Sequence, residues 1–110
     1  MCTSIVEIAA AEGVAKGESE WFPVTHSVVA YDHARHALLY DVITIDFINS
    51  ALPPGSRAGV ELTLDSAKAL HAALAKAIAE AEVEEAERAE GIAQARLRAK
   101  APVVVELAAA

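Results

Sequence analysis

Residues 63–100 read TLDSAKALHAALAKAIAEAEVEEAERAEGIAQARLRAK, and this stretch decides the fold. It is built from alanine, leucine, glutamate, lysine and arginine, the strongest helix formers, and contains no proline. Thr63 is the expected N-cap, and Asp65 in the first turn complements the helix dipole. At about 1.5 Å per residue the predicted helix runs to roughly 50 Å, whereas a compact chain of this length is only about 35 Å across. The far half of the helix must therefore project, bend back or lie on another molecule.

Two apolar stripes run along it. Ala67, Leu70, Leu74, Ala77, Ile78 and Ala81 fall within about 100° of arc, the stripe with which a helix covers a sheet. Glu84 and Glu85 then land on the same arc, so the core-facing stripe stops near Ala81. Nearly opposite lie Ala72, Ala75, Ala79, Val83, Ala86, Glu90, Ala93 and Leu97. From Ala79 onward their spacing alternates between four and three residues, the period of a coiled-coil seam. Glu80, Glu82, Glu84, Glu85, Glu87 and Glu90 precede Arg96, Arg98 and Lys100, so two copies laid antiparallel bring acid against base. The expected partner is a second copy of the chain, as a homodimer or higher oligomer.

Upstream of the helix the pattern changes to that of strands, the order of an α+β domain. Cys2 to Ala10 is a short apolar run, followed by a predicted loop holding Gly13 and Gly17. Val24 to Tyr31 and Leu38 to Ile48 are rich in β-branched and aromatic residues, with residues 32–37 joining them as a hairpin loop. Within the second run Leu39, Ile43, Ile45 and Phe47 share the expected core face, and Tyr40, Val42, Thr44 and Asp46 the other. Asn49 to Arg57, with Pro53-Pro54-Gly55, predicts a turn, and Arg57 to Leu62 a further strand. Past the helix, Pro102 precedes Val103-Val104-Val105, a candidate fifth strand. The expectation is one domain, 1–110: a small antiparallel sheet of four to five strands packed by one long C-terminal helix. Residues 1–81 carry the sheet and the first half of the helix, and 82–110 the extension that serves assembly.

Composition narrows the partners. A net charge of -7 offers no basic stripe for phosphates, which argues against nucleic acid. The chain has neither an apolar run long enough to cross a membrane nor the opening pattern of an export signal, so it reads as cytoplasmic. Its 1 cysteine allows no intrachain disulfide. If the initiator methionine is removed, Cys2 sets a thiol beside a free amine, the N-terminal nucleophile arrangement; a small apolar plug at a strand start is the plainer reading.

Two groups of side chains stand out as candidate ligand contacts. Asp32, His33 and His36 supply the imidazole and carboxylate donors that a divalent transition metal such as zinc favours, within one loop. In an extended strand His26 sits roughly 20 Å from that loop's tip and cannot join them. Trp21 and Phe22, the aromatic pair of the chain, predict a small-molecule pocket walled with Tyr31 or Tyr40, in which His26 or Asp46 orients the ligand.

Met1-Cys2-Thr3, Trp21-Phe22-Pro23-Val24-Thr25-His26, Asp32-His33 with His36, Ile45-Asp46-Phe47 with Asn49, and Val60-Glu61-Leu62 leading into Ser66-Ala67 occur in this order. Together they resemble a small family of uncharacterised bacterial proteins, a domain of unknown function, over roughly residues 1–80. The resemblance implies no catalytic role for any residue, and the acidic-then-basic extension past Ala81 looks like an addition to it. The residues favour a non-catalytic, self-assembling module that binds a small ligand or a divalent metal through the region from Trp21 to His36. A purely structural self-assembling protein is the alternative. An enzyme working through His26 with Asp46, or through a histidine-bound metal, is the third reading.

Overall fold

The computed structural model describes residues 5–53 and 56–100. The chain falls into two compact units, Met1–Leu70 and His71–Ala110. The first holds a four-stranded antiparallel meander in the order β1-β2-β3-β4. Its strands are β1 (Val6–Lys16), β2 (Trp21–His33), β3 (Asp41–Ile48) and β4 (Arg57–Leu62). Helix α1 (Leu64–Lys100) follows and supplies the second unit. The α+β expectation, a small antiparallel sheet and one long C-terminal helix, is met. Val103 to Val105 and Cys2 lie outside the described residues.

The strands are longer at the first hairpin than their sequence suggests. β1 runs on through the glycine and charged residues to Lys16 because the sheet takes up an irregularity between Ala10 and Gly13. Gly13 has φ 157°, a backbone value that side-chain-bearing residues rarely adopt. β2 correspondingly opens at Trp21, and the Gly17 N–H donates to the Glu20 carbonyl at 2.9 Å to close the turn. At the next hairpin the strand begins at Asp41 rather than Leu38. The Ala34 N–H reaches the Tyr40 carbonyl at 3.0 Å, and residues 35–40 form bends. Between β3 and β4 the Asn49 side chain accepts the Ala51 N–H at 2.9 Å and donates to the Pro23 carbonyl at 2.8 Å, tying the turn to the start of β2.

Register sorts the side chains onto two faces, because directly opposed residues point the same way. One face carries Phe22, Val24, His26, Val28, Ala30 and Asp32 of β2, with Val42, Thr44, Asp46 and Ile48 of β3 and Arg57, Gly59 and Glu61 of β4. The other carries Val29 and Tyr31, then Ile43, Ile45 and Phe47, then Ala58, Val60 and Leu62. The most buried apolar side chains, Val42 at 1% exposure and Phe22 at 6%, both belong to the first face. The sequence pattern had favoured the face of Ile43 and Phe47 as the core side, but Phe47 remains 38% exposed. At one end of the first face Glu61 binds the β2–β3 loop through three backbone amides, and at the other Phe22 lies against the Gly17 turn.

The sheet also curls. Its edge strands β1 and β4 come within contact of one another, although edges of a flat four-stranded sheet would lie about 14 Å apart. A cavity of about 480 Å³ lies where they approach, lined by Val14, Val24, Phe47, Ala58 and Val60 among others.

α1 begins as its cap dictates. The Thr63 hydroxyl accepts the Ser66 N–H at 3.1 Å, and the Thr63 carbonyl accepts the Ala67 N–H at 2.9 Å. The helix then continues for 37 residues, passing through Gly91 without a break. From Lys68 to Ala99 every residue is exposed, and Ala67, the first of the core-facing stripe, is half-buried. Replacing Val42 by alanine removes two methyl groups from the one fully buried side chain among the described residues. It is expected to lower the unfolding free energy by about 2 kcal/mol, read from urea denaturation at fixed protein concentration.

Candidate functional site

β4 alternates Arg57, Gly59 and Glu61 onto the first face, and each meets a particular partner there. Glu61 lies opposite Thr44, and its carboxylate reaches past β3 to the β2–β3 loop. Oε1 accepts the N–H of Ala37 at 2.7 Å and that of His36 at 2.9 Å, while Oε2 accepts the N–H of Arg35 at 2.8 Å. Three successive amides pointing at one group make a concave anion site, here filled by a side chain of the same chain. These bonds hold the Glu61 carboxyl below the ordinary carboxylate range, the Ala37 amide contributing most and the Arg35 amide next.

Two residues earlier, Gly59 lies opposite Asp46. A Cβ at position 59 would stand 2.5 Å from Asp46 Oδ1, so only glycine leaves the carboxylate where it is. That oxygen receives both Nη2 of Arg57 at 2.8 Å and Nε at 2.9 Å. Asp46 is 20% exposed and Arg57 56%, so the pair sits at the rim of the face rather than in its interior. The loop and β4 together wall a groove of about 760 Å³, which Asp32, Thr44, Asp46 and Arg57 line with Glu61 and the loop residues. Its dimensions fall in the range of small-molecule sites. What it offers a ligand is mainly polar: the carboxylates of Asp32, Asp46 and Glu61, the Thr44 hydroxyl, and the guanidinium and imidazole groups of Arg57 and the loop.

The sequence-predicted residues do not gather into one pocket. Phe22, His26 and Asp46 share the grooved face, Tyr31 points to the other, and Tyr40 is an 86% exposed loop residue. Trp21 pairs with Lys16 at the sheet margin and is 62% exposed. His26 and Asp46 are committed elsewhere: His26 Nδ1 lies 2.8 Å from Thr25 Oγ1, and Asp46 holds Arg57. Of the six, Asp46 alone lines the large groove.

The loop trio separates in the same way. Asp32 faces Val42 and His33 faces Asp41, on opposite sides of the sheet. His33 Nδ1 is 2.8 Å from Asp41 Oδ1, with the Tyr31 hydroxyl 3.5 Å from Oδ2. Among the described residues, no three histidine, cysteine, aspartate or glutamate side chains converge at metal-binding spacing. Asp32, His33 and His36 all touch the groove wall, yet they do not form a chelating set.

Sequence reading missed Glu61, Arg57 and Gly59. The available signal was β4 itself, where a glutamate stands between two apolar residues and a glycine occupies the strand interior. No described helix is long and apolar enough to cross a membrane.

Compared with family models, the sequence matches a family of unknown function (DUF6295) over residues 1–87. No curated protein and no solved structure matches it.

The Glu61 arrangement has a definite pH dependence. A carboxyl whose folded pKa is depressed contributes stability above its unfolded pKa, and that contribution fades as pH falls through the folded value. Urea midpoints of the native chain and of Glu61→Gln should therefore differ most at neutral pH and converge in acid. A gap that stays constant down to the acid limit would show that the charge of Glu61 does not hold the loop.

Proposed function

The chain belongs to the family of unknown function whose model spans residues 1–87, so its role must be argued from its own physics; we propose that it is a self-assembling subunit whose apolar surfaces are covered by further copies of itself. One observation carries this reading. Among the described residues only Phe22 and Val42 are buried apolar side chains, while Val6, Ile8, Val14, Trp21, Phe47 and Val60 stand 38–66% exposed on the sheet. Ordering the backbone of each residue costs on the order of 1 kcal/mol, and burial of apolar surface is the main term that offsets it. A chain that leaves this much apolar surface in water gains stability by association, and in such systems folding and assembly are linked.

Within that assembly, a second role rests on the groove beneath the β2–β3 loop. Its Asp46–Arg57 pair and the Thr44 hydroxyl suit a small polar molecule carrying both a donor and an acceptor. A zinc-type metal is the less supported ligand, because its expected donors diverge.

Light scattering at tens of micromolar should give at least twice the 11.5 kDa of one chain, and the unfolding midpoint should rise with protein concentration. A single-chain mass with a concentration-independent midpoint would end the proposal. For the groove, a small-molecule thermal-shift screen should yield a stabiliser whose effect is lost in Arg57→Ala; a stabiliser that acts equally on both proteins binds elsewhere.

A further inference from the structure

The pattern on α1 carries the assembly further, to a definite partner geometry; the step rests on the self-association proposed above. The exposed helix face holds Ala79, Val83, Ala86, Glu90, Ala93 and Leu97 in one uninterrupted helix, so the seam spacing survives as geometry past Gly91. We infer that two copies pair along this face antiparallel, about a two-fold axis level with Arg88.

Two independent features select this register. The first is steric: an antiparallel seam alternates the two kinds of core position across the interface. With the axis at Arg88, Ala79 of one copy meets Leu97 of the other, Val83 meets Ala93, and Ala86 meets Glu90. Every layer then sets a larger side chain against alanine. The second is charge. The residues flanking the seam on one side are Glu82, Ala89 and Arg96, and this same register brings Glu82 of each copy beside Arg96 of the other. A parallel pair would instead set Glu82 beside Glu87 and stack the acidic segment 80–90 on its own image. Like charges at that spacing repel, so orientation follows from charge and not from the apolar residues alone. The unfavourable features of the antiparallel arrangement are Glu87 against its own copy across the axis and Glu90, a charge within the seam set against alanine.

The test uses the full chain with Cys2→Ser as background. Val83→Cys and Ala93→Cys, made separately and then mixed under mild oxidation, should give a covalent dimer in the mixture and little with either protein alone. Dimer from Val83→Cys alone would establish a parallel pair and overturn the inference. If light scattering shows an oligomer but the mixture does not cross-link, the helix face is not the contact and self-association by another surface stands. A single-chain mass removes both. Glu82→Arg should weaken association about tenfold through its two symmetry-related pairs, and adding Arg96→Glu should restore it. A double variant no tighter than Glu82→Arg would also overturn the register, with circular dichroism confirming that each protein remains helical.

Discussion

Apolar surface without cover is the constraint on which the rest of this structure turns. A four-stranded meander has two faces, and an apolar face must be covered before the sheet is stable, while a polar one can stand in water. Here the grooved face buries Val42 and Phe22, and the opposite face leaves Phe47 and Val60 partly in water. The β2–β3 loop supplies part of the cover on the grooved face, because Glu61 anchors it by three amides. That anchor is polar and local. It organises one end of the sheet and leaves apolar side chains elsewhere exposed.

The same anchor explains why the site differs from the one a reader of the sequence would draw. Histidines and aromatic residues attract notice because their chemistry is versatile, and in this chain they are dispersed: His33 on Asp41, His26 on Thr25, Trp21 and Tyr40 in solvent. The residues that shape the groove are an ion pair and a carboxylate on β4, residue types that normally decorate solvated strands. Their importance comes from what register sets opposite them. Gly59 across from Asp46 and Glu61 across from Thr44 are facts of pairing, and pairing is not visible in one strand read alone.

The elements themselves were largely legible. Thr63 as N-cap, the helix to Lys100, the strand from Arg57 to Leu62 and the antiparallel order all follow from local chemistry: capping, helix propensity and β-branched runs. What escaped was set by longer-range effects. β1 extends to Lys16 because a glycine absorbs the irregularity at Ala10–Gly13, and β3 starts late because Glu61, more than twenty residues downstream, holds the preceding loop. Alternation likewise identifies two faces without ranking them: Val42 and Phe22 are the buried apolar side chains of the face not expected to be the core, while Ile43 and Ile45 of the other are half-buried.

The bend in β1 also bears on how such a chain avoids fibrous growth. Chains that expose apolar sheet surface risk joining edge to edge, since an open strand is a template for the next molecule. The irregularity at Ala10–Gly13 interrupts the regular pairing of β1, and the approach of β1 to β4 departs from the flat edge that such joining needs. A margin interrupted and curled in this way is a poor template for the endless stacking of amyloid.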